Sequence, residues 1–117
     1  MIDKILKDLI VSVAGARAAV LLDGDGEYIA QAGDATIDVR LIGAWKEIQL
    51  DRIKDIAVRL SLGKVRAVLF SVDEGNELVV PVMDDYCLLL FMSPYANILE
   101  ALSKSGSAAE QLIKDMV

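Results

Sequence analysis

With 117 residues the chain can bury roughly two-thirds of its unfolded surface, which leads us to expect a single domain over residues 1–117 without a staple. A net charge of −6, with 12 Lys and Arg dispersed among 18 Asp and Glu, argues against nucleic acid as a partner; zero His and one Cys exclude the usual Ser-His-Asp, Cys-His and zinc constellations. No apolar run approaches the ~18 residues that cross a bilayer, and the first residues show no cleavage-site pattern, so the expectation is a soluble cytoplasmic protein without membrane insertion.

Ile2, Ile5, Leu6, Leu9, Ile10 and Val13 follow helical spacing with Asp3, Lys4, Lys7 and Asp8 opposite, predicting a first helix. Gly15 supplies a left-handed stop. The stretch Arg17 to Gly33 then reads as a hairpin: Arg17 to Leu22 is apolar on both faces, Glu27 to Ala32 alternates, and Asp23-Gly24-Asp25-Gly26 offers Asx side chains and glycines tolerant of positive φ at its tip.

Thr36 is a candidate N-cap for a long second helix reaching about Leu60. At ~100° per residue, Ile42, Gln49, Ile53, Ile56 and Leu60 form one narrow stripe, the expected sheet-facing side. Ile37, Leu41, Ala44, Trp45 and Ile48 form a second stripe about 100° away that one sheet cannot also bury. Leu62-Gly63-Lys64 ends the helix. Val65 to Val72, Glu77 to Met83 and Tyr86 to Met92 follow as three strands of a meander, with turns at 73–76 and 84–85. Cys87 belongs to the last apolar run, as a core thiol would. Ser93-Pro94 breaks that strand, and one final helix is expected from Tyr95 onward, running through Ser103 to Ser107.

The topology α-β-β-α-β-β-β-α predicts an α/β (α+β) fold with a five-stranded antiparallel sheet, order 2-1-5-4-3, and helices on both faces, profilin-like or longin-like. The third strand is then an edge with Arg66 as its only charge and no Pro, and such an edge invites pairing. Pairing with a second copy would bring the second helices together across the seam and give Trp45 and its neighbours a partner. A hydrophobic content of 55 % agrees with apolar surface shared between chains. On this reading Leu41, Trp45, Ile48, Arg66, Val68 and Phe70 form a dimer interface.

In this order the elements resemble the Roadblock / dynein light chain family, including its MglB-like members. The resemblance runs nearly end to end. It rests on the first helix leading through Gly15 into the hairpin with DGDG at its tip, on the long second helix ending in Leu62-Gly63, on the meander, and on Pro94-Tyr95-Ala96-Asn97 opening the last helix. It implies a homodimer, or a heterodimer with a paralogue, whose sheet and paired second helices form a platform for small Ras-like GTPases or for scaffold complexes. It also implies that any stimulation of GTP hydrolysis acts through the GTPase's own groups, without catalytic residues, cofactor or metal in this chain. Arg40, Lys46, Glu47 and Arg52, on the charged side of the second helix, are the candidates for setting orientation and on-rate of such a partner.

Other chemistry is poorly served. Asp23, Asp25 and Glu27 imitate a calcium loop, but Tyr28 stands where it needs Gly and Asp34 where it needs Glu. Gly24-x-Gly26 precedes a strand and lacks the third glycine of a dinucleotide fingerprint. Asp73-Glu74 and Asp84-Asp85 read as solvated turns rather than an acid–base pair. The alternatives to a GTPase adaptor are a profilin-like small-ligand sensing module, which needs an internal cavity with convergent polar groups, and a structural scaffold subunit.

Overall fold

A computed structural model describes the backbone of all 117 residues and the side chains of all but residues 39–45 and 47. Helix α1 (Ile2–Ser12) leads into strands β1 (Ala16–Leu22) and β2 (Tyr28–Gly33), helix α2 (Val39–Arg59), strands β3 (Val68–Val72), β4 (Gly75–Val82) and β5 (Tyr86–Met92), and helix α3 (Ile98–Met116). The five strands form one antiparallel sheet in the order β2-β1-β5-β4-β3, as the sequence predicts.

The strict alternation of strand residues builds two cores. One face of β1, β4 and β5 carries Ala19, Leu21, Leu78, Val80, Leu88, Leu90 and Met92, and α1 and α3 cover it with Leu6, Leu9, Ala101, Ala108 and Leu112. The other face carries Ala18, Val20, Leu22, Val79, Cys87, Leu89 and Phe91, and meets Leu50 of α2. Cys87 is a buried thiol within this second core. β1 and β5 are buried on both sides, which is why both read as unbroken apolar runs.

Local chemistry explains the boundaries. Asp23 Oδ1 accepts the Asp25 and Glu27 backbone N–H groups at 2.9 and 3.1 Å, and Gly26 takes φ +80, so one Asx side chain and one left-handed glycine close the hairpin expected to use two of each. Thr36 does not cap α2. Its N–H and hydroxyl both donate to Asp34 Oδ1, at 2.9 and 2.6 Å, making a turn that delays the helix to Val39. Gly75, expected in a turn, lies in β4, where a Cβ would strike the Met92 carbonyl oxygen; the connection tightens to Asp73-Glu74.

α3 runs unbroken through Gly106. The Asn97 side chain accepts the Glu100 N–H at 3.1 Å, and Glu100 in turn accepts the Ala14 N–H, tying the start of α3 to the end of α1. At its other end the α-amino group lies 2.8 Å from Asp115.

Candidate interaction surface

α2 lies on the sheet in a different phase from the one its apolar pattern predicts. Leu50 and Ala57 are buried, and Lys46 and Ile53 flank them half-buried. At ~100° per residue this inward line is centred roughly 70° from Gln49, Ile56 and Leu60. Of those residues, all expected against the sheet, Gln49 is half-buried, whereas Ile56 is 53 % and Leu60 63 % exposed. Ile48 is also half-exposed, on the side away from Leu50.

The reason for the rotation is visible beneath the helix. The Lys46 ammonium sits 2.8 Å from Glu77 Oε2 and 3.7 Å from the centroid of the Phe70 ring, with its side chain only 15 % exposed. Phe70 and Glu77 are cross-strand partners in β3 and β4, so one cation ties the helix to both strands. Lys46, expected on a solvated outer face as a docking residue, is thus an internal tie. Its alkyl stem covers apolar sheet surface while its charge meets a carboxylate and a ring.

β3 is bonded to β4 alone among the described residues, leaving its other edge open. It is shorter than expected. Extending its register would set Arg66 against Pro81, which has no N–H to donate, and the strand begins at Val68. Arg66 is therefore on the irregular segment 62–67 ahead of the strand, and it is exposed. Val68 and Phe70 point half-buried to the α2 side, whereas Leu69 and Val72 remain open to solvent. Ile53 and Ile56 line an open groove of about 540 Å³ with Leu62, Val65 and Ala67, so the exposed flank of α2 adjoins the entry to the open strand. Arg52 is exposed, while the side chains of Arg40, Leu41, Trp45 and Glu47 lie outside the described residues.

The missed signal is long-range. The sequence reading weighted the longest apolar stripe, and nothing in helical periodicity says that a lysine will be drawn under the helix by a carboxylate 31 positions later. The acid pairs Asp73-Glu74 and Asp84-Asp85 are exposed at turns, and among the described residues no group of three or more His, Cys, Asp or Glu is placed to hold a metal ion. Among them, too, no helix is long and apolar enough to cross a membrane.

No family model matches this sequence, and no curated protein matches it significantly. Solved structures do match in three dimensions. MglB of Myxococcus xanthus superposes with a TM-score of 0.90 at 16 % identity, over 98 % of this chain and 94 % of that one. A Roadblock/LC7 domain from Streptomyces avermitilis gives 0.89 at 18 % identity over 97 % and 96 %. An MglB solved in a tetrameric arrangement gives 0.86 at 16 % identity over 95 % and 84 %. The order of elements, the 2-1-5-4-3 sheet and these superpositions together identify the fold as that of the Roadblock/LC7 domain, in its MglB-like form.

Proposed function

We propose that this chain is a non-catalytic, self-pairing adaptor that regulates a small Ras-like GTPase. The observation that carries the reading is the open edge of β3 lying beside the exposed apolar flank of α2. Two copies joined about a two-fold axis along β3 would continue the sheet and bring Ile56 and Leu60 of each chain toward the other. The fold shared with MglB, one of whose structures is a tetrameric arrangement, supports self-assembly. Leu41, Trp45, Ile48, Arg66, Val68 and Phe70 belong to this interface in the proposal, with Ile56 and Leu60 added from the geometry. A paralogue with the same open edge could take the second copy's place. Arg40, Glu47 and Arg52 serve the GTPase; Lys46, committed to Glu77, does not.

Sedimentation velocity at micromolar concentration tests the pairing. A dimer that Ile56→Asp converts to a folded monomer is the expected result, and a wild-type monomer would overturn it. For the partner, a Ras-like GTPase encoded beside this gene should be captured by the wild type and not by Trp45→Asp. Equal capture by both would remove the proposed platform.

A further inference from the structure

Two grooves adjoin the last turns of α2 and share Gly63, Lys64 and Val65 where they meet. The one beside β3 has been described. The other, of about 570 Å³, lies between Lys54, Val58 and Ser61 of the helix end and Pro81, Met83 and Asp84 of the β4–β5 turn, with Gly63, Lys64 and Val65 along its floor. On a helix of ~100° per residue, Lys54 and Val58 face about 100° or more away from Ile53 and Ile56. Pairing along β3 therefore leaves the Lys54, Val58 and Met83 walls of this second groove open, while Gly63, Lys64 and Val65 line both grooves.

Its chemistry is uneven. Val58 is 72 % exposed and Met83 is exposed beside it, so apolar walls face water. Two ammonium groups line it, and neither Lys54 nor Lys64 makes an ion pair among the described residues, a state they share with Lys7, Arg52, Arg66, Lys104 and Lys114; what sets this pair apart is its place on apolar walls. Gly63, at φ +88, has no atom within 4 Å of where a Cβ would stand, so the floor is unfilled. Among the described residues that line it, Asp84 is the acidic one, at the end nearest the acidic loop residues Asp23, Asp25 and Asp85. In a chain of net charge −6, an apolar groove with two unpaired cations is a local reversal of sign.

We infer that this groove is a docking site for a short acidic, apolar segment of a partner protein, held with its apolar side chains against Val58, Pro81 and Met83 and its carboxylates against Lys54 and Lys64. The concave shape between two walls favours a chain segment over a flat lipid surface, and the charge favours Asp and Glu over Lys and Arg. The end marked by Asp84 sets direction: the acidic side chains must lie toward the helix, since carboxylates placed at the turn would meet like charge.

Selection of random dodecapeptides displayed on phage against the full chain tests this. Enriched peptides should combine Asp or Glu with apolar residues. A synthetic copy of the leading peptide should shift the amide resonances of Val58, Gly63, Lys64, Val65 and Met83. Its affinity should fall with added salt, and by about tenfold or more in the Lys54→Glu/Lys64→Glu double variant, whose thermal midpoint should stay close to the wild type because Lys64 is exposed and half-buried Lys54 has no ion pair to lose among the described residues. Peptides without acidic excess, or affinity unchanged in the double variant, would overturn the assignment. So would binding to phosphatidylserine-rich vesicles that the peptide cannot displace, which would mark a lipid surface. A sedimentation profile altered by Lys54→Glu would likewise overturn it, by marking a contact between copies. Because the β3 pairing is read separately by Ile56→Asp, failure of one reading leaves the other standing.

Discussion

Replacing Leu50 and Ile56 by Ala, one at a time, asks which side of α2 holds the sheet. Leu50 is 2 % exposed and fills the space between α2 and Ala18, Val20, Leu22, Val79 and Leu89. Ala57, the other buried residue on that line, is too small to close over a void. Truncation should cost about 3 kcal/mol, within the ~2–5 kcal/mol range for buried Leu to Ala, and lower the thermal midpoint by roughly 10–20 °C. Ile56 keeps about half its surface in water, so its truncation removes part of a transfer term and leaves no sealed cavity, for a loss of about 1 kcal/mol in the isolated protomer. Urea unfolding followed by circular dichroism at two protein concentrations measures both. At high dilution Leu50→Ala should be the more damaging change. At high concentration the gap should narrow, because only the Ile56 variant also loses association. A larger loss for Ile56→Ala at high dilution would refute the helix phase and with it the exposed flank on which the pairing rests.

Three further outcomes follow from single sites. Ser105 is fully buried on α3 and its Oγ has no hydrogen-bond partner among the described residues, so Ser105→Ala should stabilise by about 1 kcal/mol, read by denaturant unfolding; a loss of stability would show that the hydroxyl is satisfied. A Cβ at Gly33, where φ is +93, would collide with the Arg17 carbonyl oxygen and the Ala18 Cα, whereas one at Gly63 meets nothing; Gly33→Ala should cost about 3 kcal/mol or more and Gly63→Ala only about 1, and equal losses would refute the packing at the β1–β2 pair. Thr36 and then Arg17 hold the Asp34 carboxyl below 3.8, so its contribution to stability is present above the unfolded value and fades as pH falls through the folded one; an NMR titration midpoint at or above 3.8, or one that Thr36→Val leaves unmoved, would contradict the turn geometry.

Most of the fold was legible because the strongest signals are local. The hairpin around Asp23 and the unbroken apolar runs of β1 and β5 each follow from a few adjacent residues, and each forms where the sequence places it; Gly15 takes a left-handed φ of +87, although α1 already ends at Ser12, and the last helix, expected from Tyr95, begins at Ile98 behind the Asn97 cap. What was not legible depends on contacts between distant segments. Gly75 reads as a turn residue until Met92 is known to pass close by, and Val65 to Ala67 read as strand until Pro81 is known to stand opposite. The phase of α2 is the same kind of case, decided by Glu77 and Phe70 rather than by the helix itself.

That phase carries an energetic argument about assembly. A free-standing protomer that rotated α2 until Ile56 and Leu60 met the sheet would bury apolar surface there at ~25 cal/mol/Å², but it would also lift Leu50 and Ala57 out of the core and strip Lys46 of its partners. The chain does the reverse, keeping Lys46 at 15 % exposure on Phe70 and Glu77 and leaving Ile56 and Leu60 more than half exposed. Such an arrangement leaves the protomer an apolar flank in contact with water. In the proposed pairing a second surface would cover that flank and bury its apolar area by association, while the Lys46–Glu77 tie fixes the helix in the orientation that presents it.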